Sequence, residues 1–129
     1  MELVDFLRAR LDEDEQAARR AGDSFRQIGE TGVIVATEGD RAEECASANW
    51  AGIAEHIVRH DPARVLREVE AKRRMLTSYE NAAVAQRAAT GTPSVGDLMD
   101  GSAHSLRFAL RLLALPYADH PDYRQEWKP

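Results

Sequence analysis

Asp61-Pro62 opens the segment that most constrains what this chain can fold into. Asp is a strong helix N-cap, and Pro at the next position gives up only an N–H that the first helical turn leaves unpaired anyway. Beyond it Val65, Leu66, Val69, Leu76 and Tyr79 recur on one side of a helix. Arg64, Arg67, Glu68, Lys72, Arg73 and Arg74 fall largely elsewhere. Glu68 to Lys72 and Glu70 to Arg74 are i,i+4 pairs in the better orientation. The helical pattern continues through an Ala-rich run to about residue 89. At about 1.5 Å per residue that is a rod near 40 Å long.

Other segments arrange themselves around this rod. Leu3, Phe6, Leu7 and Leu11, extended by Ala17, Ala18 and Ala21, form the apolar stripe of a first helix over about residues 2–21, with Gly22 as its stop. "FRQIGETGVIVATEG" places β-favouring residues on both sides of Gly29-Glu30-Thr31-Gly32 and predicts a hairpin. "GDRAEECASA" reads as a polar connection. Asn49 offers a cap for a short helix carrying Trp50, Ile53, Ala54 and Ile57 on one face and ending near Arg59. "TGTPSVGDLMDG", residues 90–101, has the Gly/Pro/Ser clustering of a mobile loop. Ser102 then offers a cap for a last helix, ended by Pro116. Leu106, Ala109, Leu110 and Leu113 give it a buried face, which Phe108, Leu112 and Leu115 widen until almost the whole helix reads as core.

After Pro116 the chain reads "YADHPDYRQEW". Asp119 or His120 suits a cap, Pro121 a first turn, and Asp122 a helix N-terminus. Tyr117, Tyr123 and Trp127 are expected to pack their rings onto the body of the protein and keep their polar tips wet, with Trp127 and Tyr117 covering the Leu106 to Leu115 helix. The tail is therefore read as an aromatic clasp.

A chain of 129 residues fits one domain, residues 1–129, and its 30% charged and 43% apolar content is that of an ordinary globular protein. Residues 1–50 carry 12 acids against six bases, which argues against a phosphate-binding arm there. Cys45 is the only cysteine, so no intrachain disulfide forms and a reducing, cytoplasmic setting is expected. No apolar run approaches the roughly 18 residues that mark a membrane span, and the N-terminus lacks the pattern of a signal peptide.

Few residues invite chemistry. His56 and His60 are four apart and would share a helix face beside Asp61, a spacing that suits a zinc pair. However, Ile57 stands where His-Glu-x-x-His places its general base, no third ligand is evident, and His104 and His120 are distant in sequence. These three residues are weak metal candidates. Glutamates beside Cys45 disfavour a thiolate, no serine has a nucleophile-elbow context, and Asp12 with Asp14 read as solvated helix charges. Gly29-Glu30-Thr31-Gly32 contains no base and no βα unit surrounds it, so it is a turn and not a nucleic-acid clamp. No catalytic, cofactor or metal residue is assigned.

What remains is the basic surface of Arg59, Arg64, Arg67, Lys72, Arg73 and Arg74. Arginines at such spacing dock on nucleic acid. Glu68 and Glu70 interrupt them and the net charge is −5, which favours a salt-bridge-laced face or an acidic protein partner.

"FLRARLDEDE", "EHIVRHDPARVLREVEAKRR" and "LRLLALPYADHPDYRQEW" together span more than a third of the chain and closely resemble a family of small, functionally uncharacterised proteins of Streptomyces and other actinobacteria and their mobile elements. The resemblance implies lineage and architecture but no reaction. Relatives carry a His near the position of Tyr79 and several cysteines before the last block, in the manner of a metal knuckle. This chain has Tyr79 and no Cys there, so the resemblance implies that it lacks that site.

The expectation is a mainly α-helical fold with a small β-hairpin, about four helices around one core and a C-terminal aromatic clasp. Its function reads as a non-enzymatic cytoplasmic interaction or accessory module that engages a protein partner or a copy of itself. One alternative is a nucleic-acid-associated protein using the Arg-rich helix over residues 62–79. Another is a metal-dependent hydrolase centred on His56 and His60.

Overall fold

A computed structural model describes residues 1–89 and 93–129, the side chains of residues 93–96 excepted. The chain is mainly helical with a small three-stranded antiparallel sheet: α1 (Leu3–Ala21), β1 (Ser24–Gln27), β2 (Val33–Glu38), β3 (Arg41–Ser47), α2 (Ala51–Arg59), α3 (Pro62–Ala88) and α4 (Pro93–Ala114). Short 3-10 turns follow at Leu115–Tyr117 and Gln125–Trp127. Two compact units can be distinguished, Met1–Leu11 with Ala71–Pro129, and Asp12–Glu70. Helices α1 and α3 each contribute to both.

In the Asp12–Glu70 unit, α1 ends where Gly22 takes φ 110° and its Cα comes so close to Thr37 O that a Cβ would sit 3.0 Å from it. A side chain is disfavoured there on both counts. Strands β1 and β2 pair as the sequence predicts, Phe25 opposite Ala36, around the Gly29 to Gly32 turn. Gly32 is required for a different reason: a Cβ on it would lie 1.9 Å from Ala48 O.

The expected hairpin is corrected to three strands. Gly39, at φ 58°, and Asp40 form a two-residue turn that returns the chain alongside β2, so the presumed polar connection becomes β3. Every residue of β3 is exposed, and its ladder with β2 explains the strand where propensity does not. The register steps from Ile34 opposite Ala46 to Val35 opposite Glu44, leaving Cys45 as the extra residue of a β-bulge. Ile34 and Val35 are buried, and Gln27 Nε2 donates to Ala51 O at 3.1 Å, tying the sheet to α2. Trp50, not Asn49, is the N-cap residue of α2, and it makes no side-chain cap bond.

In the other unit the core comprises Leu3, Phe6, Leu7 and Leu11 of α1, Leu76 and Ala89, Ala103, Leu110 and Ala114 of α4, and Tyr123 and Trp127. Most of the expected 90–101 loop is corrected: α4 begins at Pro93, a residue suited to the first helical position, so Ser102 lies within the helix and caps nothing. Residues 90–92 of that loop lie outside the described residues. Gln86 Nε2 of α3 donates to Asp100 Oδ1 at 2.6 Å. Arg8 pairs with Glu80 on the surface, and the Glu80 carboxylate holds the Arg8 guanidinium pKa above its ordinary value.

The rings of the tail find a further neighbour in α1. The rings gather on Phe6 of α1: centroid separations are 6.3 Å to Tyr117, 6.0 Å to Tyr123 and 5.0 Å to Trp127. Trp127 is 2% exposed. Helix α4 contributes through Arg111, whose Nε donates to Trp127 O at 3.0 Å and whose Nη2 donates to Lys128 O. The tips are not all wet, since the Tyr123 hydroxyl is buried without a hydrogen-bond partner among the described residues. No helix starts at Asp119 or His120. His120 instead closes a turn, its Nδ1 accepting from Asp122 N at 3.0 Å.

Candidate functional site

The basic residues divide between the two units. In the Asp12–Glu70 unit, Arg59 Nε and Nη2 both donate to Glu55 Oε1, at 3.2 and 3.1 Å. Arg64 Nε donates to Glu68 Oε1 at 2.9 Å, and its Nη1 to Arg59 O at 3.1 Å, satisfying a carbonyl at the end of α2. Arg67 is exposed. Lys72 and Arg73 are half-buried and Arg74 is exposed in the other unit. Arg59 and Arg64 thus come together, but each is engaged by a glutamate one turn away. This lowers the unpaired positive charge offered to a phosphate.

His56 and His60 are also brought together, as stacked rings with centroids 4.5 Å apart. His60 Nδ1 lies 2.7 Å from His56 O, so that nitrogen carries a proton and donates to the helix end. Asp61 is occupied by the backbone: Oδ1 accepts from Arg64 N at 3.0 Å and Oδ2 from Phe25 N at 3.2 Å. Its role here is that of the N-cap read from the sequence, with a second bond to β1. Among the described residues no group of three or more His, Cys, Asp and Glu side chains is placed to hold a metal ion. Cys45 is exposed on β3.

A different surface emerges on α4. Ala103, Leu110 and Ala114 face the core. Phe108, Leu112 and Leu115, expected to be buried, are 45, 46 and 39% exposed, and Leu98 is 65% exposed. The helix carries apolar residues on opposite sides, and among the described residues one side is packed while the other is exposed, which corrects the all-round core reading. Positions 108, 112 and 115 follow i, i+4, i+7 spacing and form one ridge. Towards the N-terminal end the same face falls to a shallow hollow lined by Leu98, Gly101, Ser102 and Ser105. The Arg111 guanidinium lies 5.9 Å from the Phe108 ring centroid, and its bonds to the tail hold it there. The ridge of Phe108, Leu112 and Leu115 offers apolar contact alone. Sequence periodicity missed it because a helix apolar all round gives no phase from which to tell an inner face from an outer one.

Among the described residues no helix is long and apolar enough to cross a membrane. The chain belongs to a family of unknown function (DUF6221), whose model matches residues 1–129. No curated protein and no solved structure matches the chain.

Proposed function

We propose that this protein is a small non-enzymatic interaction module that docks a protein partner through the outer face of α4. The observation that carries the reading is the Phe108–Leu112–Leu115 ridge: three large apolar side chains in line, each well exposed, on a helix whose other side is already packed. Contiguous apolar surface of this kind marks an interaction site far more often than scattered single residues do. The engagement of Arg59 by Glu55 and of Arg64 by Glu68 weighs against the nucleic-acid reading. The use of both Asp61 oxygens by backbone N–H groups weighs against a hydrolase centred on His56 and His60.

The proposed setting is cytoplasmic, and the proposed role is accessory or regulatory in actinobacteria or their mobile elements, on the strength of the three sequence blocks. The test is site-specific photo-crosslinking in the native host. A photoreactive side chain at position 112 gives discrete protein adducts, whereas the same group at exposed Arg87 gives none. Equal labelling at both positions, or none at position 112, rejects the reading.

A further inference from the structure

We infer that the outer face of α4 is the seam of a two-fold homodimer, in which a second copy of this chain lays its α4 antiparallel across the first. The inference rests on the reading of this face as a docking surface and names its occupant. Leu98, Gly101, Ser105, Phe108, Leu112 and Leu115 are separated alternately by three and four residues, the seam spacing of a two-helix coiled coil. Its two small members, Gly101 and Ser105, sit together in the hollow with Leu98 and Asp97 at its rim, and Phe108, Leu112 and Leu115 make the ridge.

A two-fold axis passing between Leu106 and Arg107 matches the two halves. It sets Ser105 opposite Phe108 of the second copy, Gly101 opposite Leu112, and Leu98 opposite Leu115. Phe108 and Leu112 therefore seat over the small Ser105 and Gly101 of the other copy while Leu115 meets Leu98 side by side, and the match occurs twice, as an isologous interface requires. A parallel pairing would set Phe108 on Phe108 and leave Gly101 facing Gly101, with a clash at one end and a void at the other.

The seam's edges are compatible with this arrangement. Ser102 and Ala109 border one edge, both uncharged and small enough for close helix approach. Asp97, His104 and Arg111 border the other, where exposed Asp97 stays at the solvent rim and Arg111 is already held on the tail carbonyls Trp127 O and Lys128 O. The stretch of α4 from Leu98 to Ala114 spans about 26 Å, and Leu115 extends the seam by the first residue of the 3-10 turn that follows. A single seam of that length falls short of the roughly 800 Å² per partner of a standard stable interface, so the dimer is a concentration-dependent one.

Sedimentation equilibrium of the full chain over a wide concentration series tests this. The wild-type mass is expected to rise from 14.4 kDa towards twice that value. Ser105→Phe fills the hollow and abolishes the rise, although it makes the surface more apolar. Combining Ser105→Phe with Phe108→Ser exchanges ridge and hollow and restores it. Phe108→Ser alone, an outward substitution outside the core, weakens association by about tenfold or more and serves if Ser105→Phe fails to fold. Circular dichroism checks that each variant keeps its helicity. A mass of 14.4 kDa at every concentration overturns the inference. So does tighter association by Ser105→Phe, since general stickiness and not a two-fold fit would then be at work. The docking reading fails separately: adducts at position 112 with a different protein, from a chain that stays monomeric, reject the second copy and keep the face.

Discussion

Nη1 of Arg10 lies 2.9 Å from Nδ1 of His120, a hydrogen bond that joins α1 to the tail across 110 positions of sequence. Arg10 is 6% exposed, and its guanidinium also lies over the Phe6 ring at 5.1 Å. Because Asp122 N donates to the same His120 nitrogen, Nδ1 is an acceptor and the ring proton sits on Nε2. His120→Ala removes one acceptor from a buried cation and the acceptor of a turn. Hydrogen bonds to charged groups contribute roughly 1.5–3 kcal/mol, and each kcal/mol moves Tm by roughly 4 °C at this chain length. Differential scanning calorimetry is expected to show a drop of that order, and an unshifted melt would show that the contact contributes nothing.

The two tryptophans separate burial from residue type. Trp127→Ala empties the ring cluster on Phe6 and should cost about 3–5 kcal/mol, increasing aggregation as apolar surface opens. Exposed Trp50→Ala should stay within about 0.5 kcal/mol of the parent. Urea denaturation of both variants is the check, and equal losses would contradict the clasp. Truncation after Leu115 should behave like Trp127→Ala or worse.

Tyr123→Phe is expected to stabilise the protein. Its hydroxyl is buried with no hydrogen-bond partner among the described residues, which leaves the desolvation cost of that oxygen uncompensated there. Deleting it while keeping the ring should raise stability by about 1 kcal/mol. A lower midpoint in urea for the Phe variant would mean that the hydroxyl finds a partner in solution.

Asp61 serves two backbone donors, Arg64 N within its own helix and Phe25 N in β1. Asp61→Ala should therefore exceed an ordinary N-cap loss of about 1 kcal/mol, because a strand N–H is orphaned as well. Hydrogen exchange should speed up at both amides in the variant. Acceleration at Arg64 alone would show that the bond to β1 is unimportant.

Nucleic acid gives the discriminating negative. With Arg59 and Arg64 paired to Glu55 and Glu68, a gel shift at near-physiological salt should show no sequence-specific complex. A retained complex that Arg67→Glu, Arg73→Glu and Arg74→Glu together abolish would put the Arg-rich helix first.

The sequence by itself determined the elements whose cause is local. Asp61-Pro62 starts α3, the Leu3–Phe6–Leu7–Leu11 stripe marks the inner face of α1, Gly22 ends it, and Gly29 to Gly32 turns β1 into β2. Capping, helical period and positive φ act within a few residues, so reading a short window is enough. Other features were decided only by the tertiary structure. Strand β3 exists because β2 offers it a ladder, and its Gly39-Asp40 turn was the one signal present amid residues with little strand preference. Of the two apolar faces of α4, packing buried Leu110 and exposed Phe108, a choice that composition leaves degenerate. The tail rings and His120 found Phe6 and Arg10 of α1, at the other end of the sequence. Contacts across 110 positions depend on how the chain closes on itself, and no local periodicity encodes that closure.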